Sequence, residues 1–334
     1  MKHHSAHRGW LGALAFALLS PLVAQAQLIC VWDPLGAQGD GYNTMKDYVL
    51  AAKNWGAAIE LKAYTDERVA TEDFKAGQCD GVLITGLRAR QFNQFVGSID
   101  SVGSIPSYTH MRDVIDLLAN PKLARNMISG SYEIAGAVPI GAGYVFVNDR
   151  SINELSKAAG KKVAVFDWDK SQAEMVKMIG AQPVSADITT FAGKFNNNQV
   201  DIIVAPIFAY KPMELYKGLG TKGAIARFPV IQITFQLVIK PEAFPAGFGQ
   251  KSREYIATQV PRFFGLIRNT EREVDPKHWM HVPLSDRGGY EKIMRELRIH
   301  LTKAGFYDPR MMTLLKRIRC KREPDQAECA LTDE

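Results

Sequence analysis

Hydrophobic and polar positions along this chain switch repeatedly between two periods. The run "LICVWD" has the length of a strand. The segment "YNTMKDYVLAAKNWG" repeats at helical spacing, with Met45, Tyr48, Val49 and Ala52 on one face and Gly56 as the stop. Then "AIELKAYT" alternates as a strand, a short helix is expected over Glu72 to Ala76, and "CDGVLITG" is an apolar run suited to a buried parallel strand. A long strand region follows in "YEIAGAVPIGAGYVFVND", broken by Pro139 and glycines. A second alternating unit comes next: "KKVAVFD" as strand, "KSQAEMVKMIG" as helix, "QPVSAD" as strand, a short helix, and "VDIIVAP" as a buried strand. The segment "FPVIQITFQLVIKP" is the second long strand. Helices close the chain, one interrupted near Pro261, another over "DRGGYEKIMRELRIHLTKAG", and a third capped by Asp308 with Pro309 in its first turn. This order predicts two α/β units joined by two long crossing strands, with a cleft where they cross. Lobe I is expected over 27–140 plus part of 236–320, lobe II over 141–235, and a tail over 320–334.

The N-terminus stands outside this pattern. "MKHHSAHR" is basic, and "WLGALAFALLSPLV" is an apolar stretch of 14 residues, shorter than the roughly 20 a spanning helix needs. Small residues at Ala24 and Ala26 suit a signal peptidase, so residues 1–26 are expected to be a cleaved signal peptide; an uncleaved anchor is the alternative. Export to an oxidising compartment makes Cys30, Cys79, Cys320 and Cys329 a disulfide question. Cys30 opens one strand and Cys79 immediately precedes another, while Cys320 and Cys329 close the short loop "CKREPDQAEC"; these are the expected pairs. Zinc is the alternative, but no CxxC or histidine cluster accompanies the cysteines. The formal charge of +6 is concentrated near the C-terminus. Between Arg287 and Arg322 lie eleven Lys or Arg against Glu291, Glu296 and Asp308. That stretch reads either as a solvated helical face or as a docking face for an acidic partner or anionic lipid. Nucleic acid is not expected for an exported protein.

The candidate chemistry begins at "VAVFDWDKS". A strand ending in Asp167-x-Asp169 resembles the first motif of haloacid-dehalogenase-type phosphatases, which would make Asp167 a nucleophile beside magnesium. The motif also needs a later acidic pair, and the next strong strand ends instead in Ala205 and Pro206. The simpler role for both aspartates is to cap the following helix. No GxSxG or P-loop occurs, and "GAQGDG" lacks dinucleotide-loop spacing. His278 and His281 are possible metal ligands without a third partner. No cofactor is expected.

The stretches "AYTDERVATEDFKAGQCDG", "VPIGAGYVFVNDRSIN", "AQPVSADITTFAGKFNNNQVDIIVAP", "AYKPMELYKGLG" and "FPAGFGQKSREY" resemble the AdeT-type solute-binding proteins, themselves similar to the periplasmic binding proteins of TRAP transporters. The resemblance spans residues 30 to about 320. It implies a monomeric, non-enzymatic periplasmic protein that closes two lobes around a small polar organic solute and delivers it to a membrane transporter. An envelope accessory protein associated with drug efflux is the alternative, and a magnesium-dependent phosphatase using Asp167 is a weaker one. Where TRAP proteins place a substrate-clamping Arg, this chain has Ala164, and where they often place Asn it has Ala205. The strand ends instead offer Trp32, Asp33, Asp66, Thr85, Arg88, Tyr144, Asp167, Trp168, Phe208 and Tyr210 as cleft residues. Rings with carboxylates suit a cationic or amphiphilic solute; Arg88 speaks against a purely anionic cleft.

Overall fold

The computed structural model describes residues 26–334, so the expected signal segment lies, apart from Ala26, outside the described residues. Among the described residues the strands are β1 (Gln27–Trp32), β2 (Ile59–Tyr64), β3 (Gly81–Thr85), β4 (Ile128–Ser129), β5 (Tyr132–Val147), β6 (Lys162–Phe166), β7 (Gln182–Ala186), β8 (Ile202–Pro206), β9 (Ala224–Ile239) and β10 (Trp279–Met280). The helices are α1 (Asp40–Ala52), α2 (Glu67–Lys75), α3 (Gly86–Ala89), α4 (Gln94–Gly97), α5 (Tyr108–Leu118), α6 (Lys170–Met178), α7 (Phe191–Asn196), α8 (Tyr216–Leu219), α9 (Phe248–Arg272), α10 (Leu284–Lys303) and α11 (Pro309–Arg322).

The strands form one mixed sheet in the order β2-β1-β3-β9-β5-β8-β6-β7, with β10 on β9 and β4 on β5. β1 runs parallel to β2 and β3, and β6 runs parallel to β7 and β8. Between these groups β5 and β9, each 16 residues long, pair antiparallel along their length. Their register shifts fall at Ile134/Gly136, at Pro139/Gly141 and on either side of Tyr144; Pro139 withholds a ladder donor and the glycines permit bulges. The hydrophobic interior, unlike the sheet, is divided. A large core on the β1–β3 side contains Ile29, Phe74, Ile84, Met111 and Phe248. Two smaller cores on the β6–β8 side surround Phe195 with Ile203 and Val163 with Val176. One sheet with separate cores is a two-lobed α/β architecture with crossing central strands.

Several boundaries differ from the sequence reading. α2 starts at Glu67 rather than Glu72, because Asp66 caps it by accepting from the Arg68 and Val69 backbone amides at 2.8 and 3.2 Å. α9 runs unbroken through Pro261, which sits on an exposed position while Ile256, Val260, Phe263 and Phe264 bury the opposite face. Packing of that face outweighs the lost helix bond. The stretch from 86 to 131, to which the sequence reading assigned no elements, holds α3, α4 and α5. Asp308 caps α11 as expected, accepting from the Arg310 amide at 2.9 Å, and both expected disulfides, Cys30–Cys79 and Cys320–Cys329, are formed.

The basic C-terminal stretch is substantially neutralised within the chain. Arg298 and Arg319 each pair with both Glu328 and Glu334, Arg310 pairs with Asp308, and Arg322 pairs with Asp113. Among the described residues no helix is long and apolar enough to cross a membrane.

Candidate functional site

The carboxyl ends of parallel strands from both sides of the sheet converge on one cavity of about 260 Å³. Trp32 and Thr85 come from the ends of β1 and β3, Phe166 and Pro206 from the ends of β6 and β8, with Phe208 just beyond. The crossing strands supply Ile140, Ile231 and Ile233, while α10 and the turn before α11 supply Met294, Leu297 and Tyr307. Convergence of strand ends at a change of strand direction is where α/β sheets place their ligands.

Few charged groups enter this apolar space, and each has a local reason to be there. Asp100 is fully buried, accepting from the Thr234 backbone amide at 3.0 Å and from its hydroxyl at 2.8 Å. Burial nevertheless pushes its carboxyl up from the usual range to about 7. A side chain at Gly86 would collide with this carboxylate, since a Cβ there would lie 2.5 Å from Asp100 Oδ2. Arg90 donates to the Gly97 and Asp100 carbonyls at 3.3 and 3.0 Å, and its guanidinium sits 5.1 Å from the Tyr307 ring centroid. From the other side of the cavity comes Asp169, which caps α6. Its Oδ1 accepts from the Ser171 amide at 3.1 Å and the Ser171 hydroxyl at 2.5 Å. Its Oδ2 is buried without a hydrogen-bond partner, 3.8 Å from Arg90 Nη1. Glu154, at the edge, is ion-paired with Lys157 at 3.3 Å.

Of the residues expected from the sequence, Trp32, Thr85 and Phe208 line the cavity, and the rest do not. Asp33 is buried in the start of α1, where its carboxylate accepts from the amides of Leu35, Gly41 and Tyr42; burial raises its pKa despite these bonds. Gly39 is obligatory there, because a Cβ would lie 1.8 Å from Asp33 Oδ1. Asp66 is spent on capping α2. Tyr144 and Tyr108 both donate to Glu271, at 2.9 and 2.5 Å, and the Tyr144 ring packs on Trp279. Tyr210 is buried with its hydroxyl 3.0 Å from His278 Nδ1; burial lowers the His278 pKa, while His281 is exposed. Asp167 is exposed, so it shares no environment with buried Asp169, and the paired-carboxylate geometry of a phosphatase is not formed. Among the described residues no cluster of three or more His, Cys, Asp or Glu is arranged to hold a metal.

Arg88 and Trp168 occupy a different position: they join the two sides. Buried Glu67 accepts from the Thr85 amide at 2.7 Å and the Thr85 hydroxyl at 2.6 Å, and its second oxygen takes Arg88 Nε at 2.9 Å. The Arg88 guanidinium then lies 4.2 Å from the centroid of the Trp168 ring, which stacks on Phe166. The sequence reading missed Glu67, Arg90, Asp100 and Tyr307 and took Asp169 as a helix cap or as the second aspartate of a phosphatase motif, not as a cavity residue. Arg90 shares the "RAR" triplet with Arg88, and Asp169 shares "DWD" with Asp167, so those two had a signal in the sequence. Asp100 and Tyr307 arrive through tertiary packing and had none.

The family described as solute-binding protein AdeT 1/2 matches residues 50–334. The chain belongs to the AdeT 1/2 family. It is 54% identical over 304 residues to a probable solute-binding protein AdeT1 of Acinetobacter baumannii, covering 91% of this chain and 100% of that one. It is 27% identical over 237 residues to AdeT2 of the same organism, covering 71% and 100%. The AdeT fold is also that of TRAP periplasmic solute-binding proteins. A protein from Desulfovibrio salexigens with bound orotic acid superposes with a TM-score of 0.73 at 14% identity, covering 89% of this chain and 99% of the other. A protein from Xanthobacter autotrophicus with bound β-D-galacturonate gives 0.68 at 15%, covering 88% and 99%.

Proposed function

We propose that this AdeT-family chain captures a small organic solute in the cavity between its lobes and delivers it to a membrane transporter. The observation that carries this reading is the convergence of Trp32, Thr85, Phe166 and Pro206, from the carboxyl ends of strands on opposite sides of the sheet, on one cavity. In this reading the lobes are 27–140 with part of 236–320, and 141–235, and β5 and β9 are the segments about which they move. The protein is exported through a cleaved leader, works in the periplasm as a monomer, and binds rather than transforms its solute. Family membership supports a binding role, and the proteins of like fold carry small organic acids. The intramolecular pairing of Arg298, Arg319 and Arg322 leaves less free positive charge for the alternative, a basic docking face.

The test is to purify the protein from periplasm without added ligand, denature it, and identify by mass spectrometry any small molecule released in stoichiometric amount. Ala164→Phe, which fills the cavity from β6, should release none while keeping its circular dichroism spectrum. A compound released equally by both variants lies elsewhere, and that result would overturn the cavity assignment.

A further inference from the structure

The chemistry around Arg90 and Asp169 narrows the solute. The two side chains come from opposite sides of the cavity and both line it. Asp169 is 6% exposed, and its Oδ2 has no hydrogen-bond partner although its Oδ1 is doubly bonded by Ser171. Arg90 Nη1 stands 3.8 Å away, beyond the roughly 2.7–3.2 Å of a direct hydrogen bond. An acceptor left bare in so apolar a place is costly, and its residue is one of those that line the cavity. The gap between Oδ2 and Nη1 is therefore a polar address built from both lobes.

Its net charge is zero, which decides what fits. A carboxylate drawn to Arg90 meets the like charge of Asp169, and an ammonium drawn to Asp169 meets Arg90. Neither ion finds an unbalanced countercharge nearby, because burial keeps the Asp100 carboxyl protonated up to about pH 7 and Glu154 is paired with Lys157. A neutral group that donates to Oδ2 and accepts from Nη1 satisfies both without carrying charge into a buried site. The surrounding wall is mostly apolar, with Ile140, Ala164, Met175, Val204, Ile231 and Ile233 among its residues. Resting on the solute-binding reading above, we propose that the solute is an uncharged, largely apolar molecule whose single hydroxyl or carboxamide head bridges Arg90 and Asp169. This separates it from the organic acids carried by the proteins of like fold.

The experiment uses three probes with one tail and different heads: octanamide, octanoate and octylamine. Each is titrated into the mature protein and followed by tryptophan fluorescence, since Trp32 lines the cavity. Octanamide should bind at least about tenfold more tightly than either ion, the scale set by one mispaired buried polar group. In Asp169→Asn the rejection of octanoate should relax by about tenfold while octylamine weakens further. Asn caps a helix as well as Asp, so α6 remains formed, and circular dichroism checks that. Octanoate or octylamine binding as tightly as octanamide would overturn the proposal, and so would unchanged head-group preference in Asp169→Asn. If no octyl compound binds, this inference falls; the extraction experiment then decides separately whether solute binding falls with it.

Discussion

Asp100 is the residue through which acidity should reach stability. Burial holds its carboxyl at about 7 against an ordinary 3.8. Between those values the folded protein keeps a proton that the unfolded chain has lost, so stability is highest below the lower value and declines as pH rises through the upper one. The thermal midpoint of the native protein should therefore fall more between about pH 5 and about pH 8 than that of Asp100→Asn. Asn can still accept from the Thr234 amide and donate to its hydroxyl. Equal slopes in differential scanning calorimetry would remove Asp100 from the account. Arg88 makes a second prediction. Replacing it with Met strands buried Glu67, at a cost of about 3–5 kcal/mol, and Glu67→Gln in the same chain should recover much of the loss in urea denaturation. Trp168→Ala should cost less, about 0.5–2 kcal/mol for one cation–π contact. Trp168 and Arg88 were both visible in the sequence as strand-end residues. Glu67, the anchor of Arg88, was not, because the sequence reading began that helix at Glu72 and left Glu67 outside any element.

Elements were legible where their pattern was self-contained. β1, β3, β6 and β8 are short apolar runs, and each emerged where the run lies. The long strands β5 and β9 were recognisable by their length and extended character, and register shifts in β5 fall at or beside Pro139 and the glycines that interrupt its pattern. α9 was misread because proline is a local signal, whereas the burial of Ile256, Val260 and Phe263 against the rest of the protein is not. Since Pro261 is exposed and withholds a helix bond, Pro261→Ala should raise the thermal midpoint. The gain should be about 1–3 kcal/mol, bounded by the interior-proline penalty, and an unchanged midpoint would mean the helix has already absorbed the defect. The disulfides differ in span, with sequence separations of 49 for Cys30–Cys79 and 9 for Cys320–Cys329. Chain-entropy arguments give about 4 and about 2.7 kcal/mol respectively. Paired Ser substitutions compared by denaturant titration should rank in that order.

At the scale of the molecule, the partition of the core has a consequence for biogenesis. β6, α6, β7, α7 and β8 are consecutive, so this side of the sheet can assemble as soon as residues 162–206 are available. β3 cannot be completed so early. Its outer neighbour on the far side from β1 is β9, pairing Gly81 with Ile239 through Thr85 with Phe235, and closing so long a loop is slow. Pulsed hydrogen exchange during refolding should therefore find the amides of β6 and β8 protected before those of β3, and simultaneous protection would refute that order. A polypeptide threaded N-terminus first through an export channel meets the same delay in a harsher form. "GVLIT", wholly buried in the finished protein, emerges early with one edge of its backbone ladder bare and Val82, Leu83 and Ile84 uncovered. It waits in that state until the second crossing strand has followed it across. Under the export proposed above, this segment, rather than any surface loop, is where a periplasmic chaperone would have to hold the nascent protein, and where a stalled export intermediate would begin to aggregate.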